Sequence, residues 1–149
     1  MPKYVFSTIV NVFRPFSLKQ LKVQLNQTKC IALMTDASNY GNVKLFPVVV
    51  RFYDPYEGIQ IKLLDIQSQT GETSDIVVKY LEDVIVGNDI TDKIVAFCAD
   101  NTNSNFGGAS RKGVNNTFQK LNNLLKRELV GVGCGAHIVH NTIHTASDC

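Results

Sequence analysis

Asp36 and Asp100 each close an apolar run: Ile31-Ala-Leu-Met-Thr35 leads to the first, and Lys93-Ile-Val-Ala-Phe-Cys-Ala99 to the second. A short continuous apolar run reads as a strand buried on both faces, and ligand sites in open α/β sheets form just outside the carboxyl ends of such strands. If the two strands are parallel neighbours, the carboxylates face each other although 64 residues separate them in the chain. Two carboxylates held close repel, and a divalent cation relieves that repulsion. Mg²⁺ and Mn²⁺ favour such oxygen ligands. Two ions about 3.5–4 Å apart suit phosphodiester transfer, one activating the attacking hydroxyl and the other stabilising the leaving oxygen. An Asp after a strand is also a common turn or cap residue, so spacing alone leaves both readings open.

Three further groups surround this pair in sequence. The loop Asn101-Thr-Asn-Ser-Asn-Phe-Gly-Gly108 offers the amides of Asn101, Asn103 and Asn105 and flexible backbone to a phosphate or a base. It lacks the Gly-Lys-Ser/Thr of a P-loop, and Asx turns alone would account for its composition. All three histidines fall within eight residues, His137, His140 and His144, just after Cys134. A helix can present two zinc ligands at such spacing, but closing a tetrahedron needs a second pair from elsewhere, which argues against zinc. Arg111, Lys112, Lys120, Lys126 and Arg127 form a cationic helix surface, solvated if alone and a phosphate track if beside a metal site.

The elements that must position these groups follow from period and punctuation. Residues 31–35, 45–53 and 59–65 read as three strands on short links, with 37–44 a turn and Asp54-Pro55 and Glu57-Gly58 a hairpin connection. Ile76, Val77, Tyr80, Leu81, Val84 and Ile85 then fall at helical spacing after the cap candidates Thr73 and Ser74. Residues 93–99 give a fourth strand, and Val114, Phe118, Leu121 and Leu125 a second helix. Residues 129–133 give a fifth strand and 135–147 a last helix. The order β-β-β-α-β-α-β-α predicts a mixed sheet, because a strand–helix–strand step makes a parallel pair.

Composition bounds the rest. The 149 residues suit one domain, and 44% hydrophobic against 19% charged residues excludes a disordered tail. No apolar run approaches the roughly 20 residues that span a bilayer. Four widely spaced cysteines do not make a secreted disulfide framework, which points to a reducing compartment. Residues 1–30 carry five basic and no acidic side chains, whereas residues 31–149 carry 10 basic and 13 acidic ones. The first segment therefore reads as a basic leader or linker, suited to an anionic partner or simply solvated.

Four strings in this order and spacing resemble one family. Met34-Thr-Asp-Ala-Ser-Asn39, Lys44-Leu-Phe-Pro-Val-Val-Val50, Cys98-Ala-Asp-Asn-Thr-Asn-Ser-Asn-Phe-Gly-Gly108 and Cys134-Gly-Ala-His-Ile-Val-His-Asn141 are similar to the catalytic core of hAT-superfamily DNA transposases and the host proteins derived from them. Many of those carry BED-type zinc fingers upstream. The resemblance implies a ribonuclease-H-like α/β fold over residues 31–149, incomplete at its carboxyl end. It implies that Asp36 and Asp100 match the first two carboxylates of a metal-binding Asp-Asp-Glu triad served by Mg²⁺ or Mn²⁺. It also implies that Cys134 and His137 match a Cys-x-x-His motif close to the site and the DNA.

The family's Glu lies beyond a large helical insertion, and neither Glu128 nor Asp148 matches it. The resemblance therefore implies a nuclear, DNA-directed parent enzyme with no membrane or small-molecule substrate, and a chain inactive alone. It also implies an uncovered apolar sheet face open to a protein partner or self-association. The alternatives are a domesticated non-catalytic DNA- or protein-binding module and a zinc-stabilised interaction domain.

Overall fold

The computed structural model describes residues 3–40, 43–107 and 113–147. They form a mixed α/β fold on one six-stranded sheet. The chain begins in helix: α1 (Lys3–Thr8) runs through a π-helical turn, Ile9–Phe13, into α2 (Arg14–Gln27). Pro15 explains the widened turn. It has no N–H to donate and its ring crowds the carbonyl four residues back, and the Arg14 N–H bonds to Ile9 O, five residues back. Next come β1 (Ile31–Thr35), a short β2 (Ser38–Tyr40), β3 (Val43–Asp54), β4 (Gly58–Gln69) and α3 (Ser74–Gly87). The chain continues through β5 (Ile94–Ala99), α4 (Asn103–Phe106), α5 (Thr117–Leu125), β6 (Val130–Gly133) and α6 (Gly135–Ser147). Among the described residues no helix is long and apolar enough to cross a membrane.

Across the sheet the strands run β4-β3-β1-β5-β6, with β2 beside the first residues of β3. β3 is antiparallel to β1, β2 and β4, while β1 and β5, and β5 and β6, are parallel. The expected strand–helix alternation is therefore present. Two small elements depart from it: β2 forms where a turn was expected, and α4 forms inside the Asn-rich loop. Val114, expected on the second helix, is 84% exposed ahead of it. Asn116 sets the start of α5 instead, its Oδ1 accepting the Gln119 N–H at 3.0 Å.

The core lies on one face of the sheet. Leu33, Val48, Val50, Ile94 and Phe97 are fully buried there, beneath Leu81 and Ile85 of α3 and Leu121 of α5. The core also reaches into the basic segment. Leu21 and Leu25 of α2 are buried in it, and Lys93 Nζ donates to Leu25 O and Asn26 O at 2.7 and 2.9 Å. An ammonium on the last carbonyls of a helix satisfies groups the helix cannot pair itself. Upstream of Leu18 no described residue is buried.

β4 carries a bulge that decides where its side chains go. Val49 pairs with Leu63 and Val48 with Asp65, leaving Leu64 as the extra residue, and Leu64 is the buried member. The shift turns Asp65 to the helix side, where Tyr80 Oη donates to Asp65 Oδ2 and to Phe46 O, each at 3.1 Å. Ile59, Ile61 and Leu63, between the hairpin and the bulge, pair with Tyr53, Arg51 and Val49 and lie on the opposite face, 52–62% exposed.

Candidate metal and nucleic-acid site

The pairing of β1 with β5 puts Met34 opposite Cys98. Two residues further along, both chains leave the sheet, at Asp36 and Asp100. Adjacent strands lie about 4.8 Å apart, so the register brings these carboxylates to one edge. Both line a cleft of about 210 Å³ whose floor is Met34, Pro47, Val49, Cys98 and Ala99 and whose rim includes Cys134. The two expected carboxylates thus share a site. Neither joins an ion pair among the described residues.

Asp100 is held by its own loop. Oδ1 accepts from Asn105 Nδ2 at 2.6 Å and from the Thr102 hydroxyl at 2.8 Å, with the Thr102 N–H at 3.4 Å. The Asn-rich loop therefore orients a carboxylate first. Asn105, expected to contact DNA, has its amide committed to Asp100, while Asn103 is exposed at the start of α4. Asn101 lies over Gly133, where an added Cβ would overlap its amide, so any larger residue at the end of β6 would have to displace the Asn101 side chain. Phe106 is an anchor of this loop, fully buried and 5.7 and 5.4 Å from the rings of Phe97 and Phe118. Gly107 follows with φ +78° and approaches Gly113 so closely that a Cβ would stand 2.7 Å from the Gly113 nitrogen. Arg111 and Lys112, expected on the DNA side, lie outside the described residues.

β6 delivers the third component. The Cys134 N–H bonds to Ala99 O at 2.8 Å, and Cys134 O accepts the Ile138 N–H at 3.2 Å to start α6. His137 follows one turn on. Its backbone N–H and ring, with the N–H of Ala136, hold the Cys134 thiol below the ordinary thiol range. The same thiol raises His137 above the ordinary imidazole range, and Asp36 and Asp100 act in that direction too. Burial, then Cys134, pushes the Cys98 thiol up. His137 therefore sits within electrostatic reach of both carboxylates, and Cys134 lines the same cleft.

The expected phosphate track is partly used up in the fold. Lys120 Nζ lies 2.5 Å from Asp75 Oδ1 and 2.9 Å from Ser74 Oγ. Arg127 donates to Asp92 O at 2.8 Å and pairs with its carboxylate at 3.4 Å. Two neighbours of the site escaped the sequence reading. Thr35 is 7% exposed, and its Oγ1 has no hydrogen-bond partner among the described residues. It borders a second hollow of about 130 Å³ shared with Asp100, Ser104, Asn105 and Glu72. A Thr closing an apolar strand looks like any strand residue, and Glu72 sits in the short link between β4 and α3, so neither carried a sequence signal.

The donor set suits a hard divalent cation in part. Carboxylate oxygens of Asp36 and Asp100 are the ligands Mg²⁺ or Mn²⁺ prefers, but among the described residues no group of three or more His, Cys, Asp or Glu side chains is placed to hold a metal ion. The same statement covers zinc at Cys134 and the histidines. Neither a protein-family model nor a curated protein sequence matches this chain.

Proposed function

We propose that this chain forms part of the catalytic core of a hAT-like DNA transposase, of ribonuclease-H-like fold, whose parent cuts and joins DNA strands with divalent metal in the nucleus. The observation that carries the reading is the meeting of Asp36 and Asp100 at the carboxyl ends of adjacent parallel strands, over one cleft. The finer fold name is supported by three antiparallel strands feeding a parallel pair through helical links. Cys134 and His137 beside the carboxylates, as the resemblance implies, add to it. Asp36 and Asp100 would hold the cation, which when bound would polarise a phosphate oxygen. Asn105 and Thr102 fix the Asp100 carboxylate, and the His137 ring is a donor suited to a DNA phosphate.

Two carboxylates alone bind such a cation weakly, so the chain by itself is read as inactive. The test is calorimetric titration with Mn²⁺, alongside a supercoiled-plasmid assay. Weak Mn²⁺ binding that disappears in both Asp36→Ala and Asp100→Ala, without plasmid cleavage, is the expected result. Binding unchanged in both variants would sink the metal reading, and cleavage abolished by Asp100→Ala would overturn the inactivity. The competing reading is a non-catalytic DNA-binding module. It predicts salt-sensitive DNA binding that survives both substitutions.

A further inference from the structure

Thr35 closes β1 with a buried hydroxyl that no described residue uses. By the alternation of the strand it shares the helix-facing side with Ile31 and Leu33, both fully buried. A Val would fill nearly the same space without leaving an unpaired hydroxyl, which costs a desolvation penalty when buried. Buried polar groups are ordinarily hydrogen-bonded, so this one points to a partner that the described chain does not supply.

The surroundings indicate what that partner is. Thr35 and Asp100 both line the cleft, and both also line the hollow behind it. Thr35 directly precedes Asp36 in the chain. It therefore stands where cleft and hollow meet, next to one carboxylate in sequence and beside the other in space. The hollow holds about 130 Å³, and a water needs about 10–15 Å³ of such room, so several waters fit. Its wall includes Glu72, Thr102, Ser104 and Asn105, a lining that suits water better than an apolar ligand. Glu72 is already paired with Lys44, which leaves little uncompensated charge there for a cation of its own. Asp100 Oδ1 is taken up by Thr102 and Asn105, while no described residue donates to Oδ2. That oxygen remains for a cation in the cleft. Mg²⁺ and Mn²⁺ bound by one or two carboxylates keep several of their own waters, and those waters need acceptors and donors around them.

We propose that Thr35 is a positioning residue of the Asp36–Asp100 site. Its hydroxyl anchors a water in the hollow, and that water hydrogen-bonds the hydration shell of a divalent cation held by the two carboxylates. The inference rests on the metal reading of the cleft and adds to it an outer partner on β1.

Calorimetric titration of the full chain with Mn²⁺ tests this, with the urea midpoint of the metal-free protein measured alongside. Thr35→Val is expected to weaken Mn²⁺ binding about 10-fold or more, the range for loss of an outer-shell partner, without lowering the metal-free midpoint. Thr35→Ser, which keeps the hydroxyl, is expected to bind as the wild type does. Thr35→Ala removes the hydroxyl without adding bulk and carries the same expectation for binding as Thr35→Val if the latter does not fold. Unchanged affinity in Thr35→Val, with binding still lost in Asp36→Ala and Asp100→Ala, overturns this inference and leaves the metal reading standing. Equal weakening in Thr35→Val and Thr35→Ser overturns it too, since the hydroxyl would then not be the group that matters. A wild type that binds no Mn²⁺ overturns both.

Discussion

Phe97 and Cys98 are consecutive in β5, yet they belong to different environments. Phe97 is fully buried under α5 and touches Phe106 at 5.7 Å. Cys98 points the other way, to the floor of a cleft that opens between the carboxylates. The contrast holds for the whole sheet. On the helix side Leu33, Val48, Val50 and Phe97 are sealed, while on the other side Ile59, Ile61, Leu63 and Val130 stand more than half exposed. One face holds the fold together. The other holds the cleft and surface still to be covered. The difference teaches that apolar content alone does not locate a core, because both faces are apolar and only one is packed.

The sharpest way to break this comparison is Phe97→Ala. It removes the largest side chain at the centre of the packed face and leaves a cavity among rings that cannot collapse onto it. Chemical denaturation should report a loss of about 3–5 kcal/mol. A loss below about 1 kcal/mol, the level of surface substitutions, would mean that the aromatic cluster is not part of the cooperative unit.

Tyr80→Phe probes the packed side's polar seam and should cost less. The hydroxyl bonds to Phe46 O and Asp65 Oδ2, and losing it should remove about 1–2 kcal/mol. The pH dependence is the cleaner readout. Burial, then the Asp65 carboxylate, raises the Tyr80 pKa above its ordinary value. The unfolded chain therefore releases this proton first, near pH 10. The contribution to stability is complete below that pH and is lost as pH rises toward the folded-state value. The wild type should lose stability more steeply than Tyr80→Phe above about pH 10. Equal slopes would show that the hydroxyl is not sheltered.

Much of this was legible in the residues, for reasons that mark where legibility stops. The strands around Leu33, Val50 and Phe97 and the helix carrying Tyr80 and Leu81 announce themselves by period and caps. The placement of Asp36 and Asp100 at strand ends follows from the runs before them. Which face each strand turns to the core does not follow. The alternation Ile59, Ile61, Leu63 marks one apolar row, yet the hairpin register and the single-sided helices leave that row outside. Phe106 in a polar loop reads as incidental, but it fills the space under Gly131, where a Cβ would stand 3.1 Å from its ring. The amino-terminal helix is hidden by Pro15 and by a basic composition that resembles a solvated leader. Its anchors, Leu21 and Leu25, become visible only once Lys93 and the core meet them.

The smallest expected effect tests the comparison inside a single strand. Ile61 and Leu64 sit three residues apart in β4, both are large aliphatic residues, and only the second is buried. Leu64→Ala should destabilise the chain by about 2–5 kcal/mol, as core truncations do. Ile61→Ala should change stability by no more than about 0.5 kcal/mol. A loss above about 2 kcal/mol for Ile61→Ala, comparable to a core truncation, would mean that this face is packed within the chain. The exposed row would then belong to the core, and the two faces would no longer differ.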